Sequence, residues 1–181
     1  MSKFKQTNTQ IQSSIRFSVL AAALFFVGMI FASGITVQAG EHHELENREF
    51  NERGNIVIAD QFNNRVIEID PETHKVIWQF GNGEDKPGPN SVVGTNDAER
   101  VGELTLISGT GIPGGVTPPL PGCSDPVNGC ADNRVILVNE KGRIVWQYGQ
   151  DGVAGAGPDQ LNVPVAATFL PNGHVLNRPK Q

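Results

Sequence analysis

Cysteine is scarce in this chain of 181 residues: Cys123 and Cys130 are its only two, both in the stretch CSDPVNGC. No other Cys/His pair stands at the spacing that would complete a structural zinc site with them. The two are therefore expected to form a local disulfide, in a chain that leaves the reducing cytosol. Basic clusters are missing as well. Fourteen Lys and Arg stand against nineteen Asp and Glu, a formal net charge of -5. Phosphate backbones are bound by patches of Lys and Arg, so a nucleic-acid partner is excluded. There is no G-x-S-x-G elbow and no H-E-x-x-H helix, which removes two common hydrolytic sites. Gly152, Gly155 and Gly157 lie close together, but not as G-x-G-x-x-G and with no helix-forming run behind them, so they form no phosphate cradle. Neither a catalytic set nor a cofactor is expected.

One long apolar run is present, and it is N-terminal. Lys3, Lys5 and Arg16 flank it with no acidic residue, residues 17–31 read FSVLAAALFFVGMIF, and small residues lead to Val37, Gln38 and Ala39. That layout is a secretory signal covering residues 1–39, with cleavage expected after Ala39. The alternative is an uncleaved membrane anchor, since residues 17–37 are just long enough to cross about 30 Å of hydrocarbon. Either way the remainder is exported, to the periplasm or outside the cell. Losing three basic residues and no acidic one moves the formal charge from -5 to -8. Residues 40–53 are a polar segment in which His42 and His43 sit between Glu41 and Glu44. Adjacent histidines near a terminus are ordinarily solvated, and no metal site is assigned to them. Part of this segment, around residues 49–52, is expected to supply a first strand.

What the chain has in place of motifs is a repeat. Residues 55–81, NIVIADQFNNRVIEIDPETHKVIWQFG, return in part as residues 133–149, NRVILVNEKGRIVWQYG. Asn-Arg-Val opens both copies, an apolar run and a polar turn follow, and both close on Trp, Gln, an aromatic ring and Gly. Short β-branched runs joined by Asn, Pro and Gly turns predict antiparallel strands and an all-β fold. Aligning Gly102-Glu103-Leu104 with Gly54-Asn55-Ile56 puts successive units about 48 residues apart, a propeller-blade period. Residues 162–176 begin a third unit, and residues 177–181 do not continue its pattern. Residues 109–132, dense in Gly and Pro, replace the five-residue turn at 60–64 with a long loop. No strand or helix is expected in it. It is the candidate binding loop, against the plainer reading of a tolerated surface insertion.

Gly54 to Asp60, then Asn64-Arg65-Val66 and a returning strand ending Phe80-Gly81, resemble the NHL repeat of six-bladed β-propellers. The returning half, from Asp70 to Trp78, is also similar to the tryptophan-docking turn of quinoprotein-type propellers. The resemblance spans about residues 47–176 and implies four-stranded antiparallel blades, about two of them with the start of a third, over residues 54–181. It makes Trp78, Trp146, Arg65 and Arg134 structural residues of the repeat. Fewer than three units implies either a truncated propeller or closure by self-association.

Enzymes with this architecture use metal-bound histidines or an acid/base pair facing a central channel. His74 falls in a hairpin turn and is expected to face solvent; His174 starts a strand and lacks visible partners. Asp60 and Asp97 are weak candidates for a cation site at a channel mouth. The reading is an exported binding or interaction scaffold with an unknown ligand or protein partner. The alternative is part of an exported propeller enzyme, lyase-like or sulfotransferase-like, with its catalytic residues in missing blades.

Overall fold

A computed structural model describes residues 49–179, so the signal segment, its apolar run and His42 and His43 lie outside the described residues. Among the described residues no helix is long and apolar enough to cross a membrane. The chain is all-β. Strands β1 (Ile56–Asp60), β2 (Arg65–Ile69) and β3 (Val76–Phe80) form one antiparallel sheet. A second contains β4 (Thr95–Val101), β5 (Leu104–Gly109), β8 (Arg134–Asn139) and β9 (Ile144–Tyr148), in that order. Within the loop between β5 and β8, β6 (Ile112–Pro113) and β7 (Gly129–Cys130) make a miniature ladder. Strands β10 (Pro164–Phe169) and β11 (Val175–Pro179) form the last sheet.

Three expectations are corrected. Residues 49–52 form a turn and no strand, leaving the first sheet with three strands among the described residues. Phe50 is used for packing instead, its ring centroid 5.5 Å from that of Trp78. The loop at 109–132 is not free of strand, because β6 and β7 pair inside it. The last strand runs on through Arg178 and Pro179, paired with Ala166 and Pro164. The register of the repeat also moves by one residue. Ser108 pairs with Val135 as Ala59 pairs with Val66, so Ser108 and not Ile107 is the counterpart of Ala59. Side chains alternate across a strand, so this shift decides which residues share a face.

The sheets stack face to face. Val66, Trp78 and Phe80 of the first meet Ile107, Ile136 and Val138 of the second in one apolar cluster, flanked by Ile144. The opposite face of the second sheet, with Leu106, Val135 and Leu137, meets Ala167 of the third. The Trp78 indole is 7% exposed, and its Nε1–H donates to the Glu140 carbonyl, 2.9 Å away in the β8–β9 turn. The first sheet thus pins its tryptophan on the hairpin turn of the second.

Buried charge sits in the same layer. Glu68, 1% exposed, accepts from the Asn51 N–H (2.8 Å), the Asn55 amide (2.7 Å) and the Arg100 guanidinium. Arg100 in turn lies 4.1 Å from the Phe50 ring centroid and 4.8 Å from that of Trp78. A buried carboxylate is tolerable only with such complete pairing. Trp146 holds the matching place in the second sheet yet is 39% exposed, because the third sheet brings two strands and no second hairpin over it. Its position recurs and its burial does not. Trp78→Ala should lower the unfolding free energy by about 3–5 kcal/mol. Trp146→Ala should cost less than about 2 kcal/mol, since less contact is lost; urea denaturation of the two variants checks the difference.

Candidate functional site

The repeated residues form a clamp between sheets. Asn64 and Asn133 both take the left-handed conformation, φ 50° and 61°, which Asn adopts more readily than most side chains. That turns each amide toward the next sheet. The Asn64 Oδ1 accepts the Gly94 N–H (2.9 Å) just before β4, and the Asn133 Oδ1 accepts the Val163 N–H (3.0 Å) just before β10. The arginine that follows each holds a carboxylate and a glutamine. Arg65 Nε donates to Asp60 (2.8 Å) and its Nη1 to Gln79 (3.3 Å). Arg134 Nε donates to Asp132 (2.6 Å) and its Nη1 to Gln147 (3.3 Å). Gln79 and Gln147 then donate to the carbonyls of Gly81 and Gly149. A Cβ on either glycine would fall within 2.4 Å of the preceding Asn carbonyl, which accounts for glycine at both closures.

The second clamp is buried more deeply. Asp132 and Arg134 are both essentially inaccessible, and Asp132 also accepts the Val93 N–H at 2.6 Å. Burial holds the Asp132 carboxyl above its ordinary range, with the Arg134 guanidinium pulling the other way. The Arg134 Nη2 donates further to the Ser91 carbonyl (2.9 Å).

The long loop is fastened at several points. The Cys123 and Cys130 sulfurs lie at disulfide distance, with Cα atoms 5.6 Å apart. Ser124 N–H donates to Asp85 (2.8 Å) in the 84–94 connector, and the Asn64 amide donates to the Gly122 carbonyl (2.6 Å). Asp125 accepts the Val127 and Asn128 N–H groups and the Asn128 side-chain amide. Those hydrogen bonds, the Asn128 backbone first, hold the Asp125 carboxyl below its ordinary range. The order is thus written into side chains beyond the disulfide.

Between this loop and the starts of β4 and β10 lies a cavity of about 450 Å³. Gln61, Asn96, Thr110 and Asn128 give it amides and a hydroxyl, and Ile112 and Val163 give it apolar wall. A second cavity of about 660 Å³, more apolar, lies beside Trp146, with Leu137, Tyr148, Phe169, His174 and Val175 in its wall.

Other sequence candidates fall elsewhere. His74 is exposed in the β2–β3 turn with φ 58°, facing solvent as expected. His174 is brought to the Trp146 cavity, away from the disulfide loop. Asp60 is engaged by Arg65 and Asn63, and Asp97 accepts the Ala167 N–H (3.0 Å) from the third sheet. The two carboxylates are placed to tie strands. The buried Glu68 and Asp132 and the amides at the loop cavity went unnoticed in the sequence; the position of Asp132 directly before a repeated Asn-Arg was the available signal. No protein-family model matches the chain, and no curated protein matches its sequence.

Asp132→Ala should cost about 3–5 kcal/mol of stability, because it leaves Arg134 buried without its carboxylate; equilibrium unfolding against the parent protein measures it. The lowered Asp125 carboxyl stabilises its loop turn above the ordinary carboxylate range, and that stability is lost as pH falls through its folded value. The Val127 and Asn128 amide resonances should therefore titrate together, with a midpoint below that of a free Asp side chain.

Proposed function

We propose that this chain is an exported binding scaffold of stacked, propeller-type blades, and that it binds through the hollow beside the disulfide-stapled loop. The observation that carries this reading is the fastening of the loop. An insertion of this length would ordinarily be the least ordered part of a β protein, and binding segments are favoured where a rigid frame positions them. Here Asn64 and Asp85 spend hydrogen bonds on holding it against the frame, and Asp125 spends its own on a turn within the loop. A preordered wall lowers the entropy lost on binding. The tryptophan of one sheet docked on the hairpin of the next, with the clamp at each junction, supports the propeller-type reading. The paired sulfurs support passage through an oxidising compartment.

The chemistry of the hollow suits an uncharged, extended peptide segment. Side-chain amides of Gln61, Asn96 and Asn128 can both donate to and accept from a peptide backbone, and the Ile112 and Val163 walls take small apolar side chains. The buried ions are committed to structure, Glu68 to Arg100 and Asp132 to Arg134, which leaves recognition to neutral groups. Titration of the isotope-labelled protein with capped, uncharged tetrapeptides tests this. Saturable amide shifts at residues 61, 96 and 128, lost when Cys123 and Cys130 are replaced by Ser, are expected. Absence of any saturable shift across Val-, Ser- and Asn-containing peptides, or cleavage of the peptides, would sink the reading.

A further inference from the structure

The exposed faces of the first and second sheets are the two halves of an interface the molecule already contains. In the interior, Trp78 and Phe80 of one sheet are covered by Ile136, Val138 and Ile144 of the next. The pairing register makes Trp146 and Tyr148 the counterparts of Trp78 and Phe80, and both are 39% exposed beside the 660 Å³ cavity. It makes Ile67, Ile69 and Val76 the counterparts of the covering residues Ile136, Val138 and Ile144. Val76, in the first sheet, is 52% exposed. One end of the molecule therefore carries an uncovered tryptophan face, and the other carries the aliphatic face that fits it.

The strand edges are complementary in the same sense. Among the described residues the first sheet has no counterpart of the strand that β4 supplies to the second, so β1 is an edge strand there. Among the described residues the last sheet has counterparts of β4 and β5, namely β10 and β11, and no further strand. Strand β11 fits its place poorly. Asn177 is turned toward the apolar layer, lining the Trp146 cavity, and its Oδ1 is buried without a hydrogen-bond partner. Aligning Gly173-His174-Val175 with Gly54-Asn55-Ile56 puts Ile58 where Asn177 stands. Ile56 and Ile58 share one face of β1 and are 46% and 36% exposed.

We propose that a second copy of this chain docks head to tail in the Trp146 cavity, its β1 displacing β11 from β10. The sheet β10–β1–β2–β3 would then have four strands, like the second sheet, with β1 to β3 from the second copy. Ile58 replaces the unsatisfied Asn177 amide by an apolar side chain, and Trp146 gains the β2–β3 turn as Trp78 has the β8–β9 turn. The docking site is continuous with the interface that β10 already makes through Ala167, Leu106 and Leu137. Because the two surfaces differ, the contact is heterologous and closes as a ring or propagates. Each copy adds two four-stranded sheets, so two, three or four copies fall within the four to eight blades of closed propellers. The proposal rests on the stacked-blade reading and is independent of what the disulfide loop binds.

Sedimentation velocity of the full chain, with two single variants, tests it. The parent protein should be a discrete oligomer, and Ile58→Glu or Trp146→Glu should each reduce it to monomer. Mixed together, the two variants should form a one-to-one dimer and nothing larger, since Ile58→Glu retains an intact cavity and Trp146→Glu an intact β1. Restored association also shows that both variants fold. Asn177→Ile should strengthen β11 in its own place and shift the parent oligomer toward monomer. A monomeric parent protein, an oligomer that survives both Glu variants, or variants that fold by circular dichroism but stay apart on mixing would each overturn the proposal. Persistence of the one-to-one dimer with Cys123→Ser and Cys130→Ser in both partners would separate this contact from binding at the loop.

Discussion

The junction between sheets depends on one asparagine in a left-handed turn. Asn64 and Asn133 carry no chemistry of their own, but each points an amide oxygen at the backbone N–H that opens the following sheet. A backbone N–H buried at a strand start needs a partner, and the preceding sheet supplies it. The arginine next to each asparagine fixes the turn by holding a carboxylate beside it and a glutamine on the outermost strand. Remove the left-handed turn and the amide, the guanidinium and the closing glycine lose their common geometry. The apolar faces supply most of the adhesion between sheets, and this polar clamp sets where one sheet lies on the next.

Much of this was legible in the sequence, and the reasons are local. Asn-Arg-Val followed later by Trp-Gln-aromatic-Gly marks the last two strands of the first and second sheets and the glycine that closes against the asparagine, because each contact lies within one repeat. The all-β class followed from the same short runs and turns. The clamp partners were less visible, since the carboxylate comes from Asp60 in one copy and from Asp132 in the other, at different distances from the arginine. The chain conserves the contact while changing the position that makes it. Alignment of residue types cannot see that substitution.

The misread parts have non-local causes. The one-residue slip between Gly54 and Gly102 arose because Ile56-Val57-Ile58 and Leu104-Thr105-Leu106 match in either register by composition; only pairing across the sheet chooses. Trp78 and Trp146 look identical in sequence, and their difference in burial belongs to what lies over them. Residues 49–52 have no strand partner, and Phe50 is drawn onto Trp78 and Arg100 instead. The polar side chains around the loop cavity, Gln61, Asn96, Thr110 and Asn128, come from four separate segments, which no spacing along the chain can announce.

The long loop departs from Gly109 and returns at Asp132, and these two residues touch: a Cβ on Gly109 would meet the Asp132 carboxyl carbon at 2.6 Å. The ends of the insertion are therefore held together by the frame, in the same geometry that a five-residue turn satisfies in the first sheet. Closing a longer loop between fixed ends adds cost only as the logarithm of its length. The frame is thus indifferent to what is spliced in at this point, provided the glycine and the aspartate remain. That makes the junction a socket, through which a chain of this kind can exchange one inserted segment for another without rebuilding the sheets that carry it.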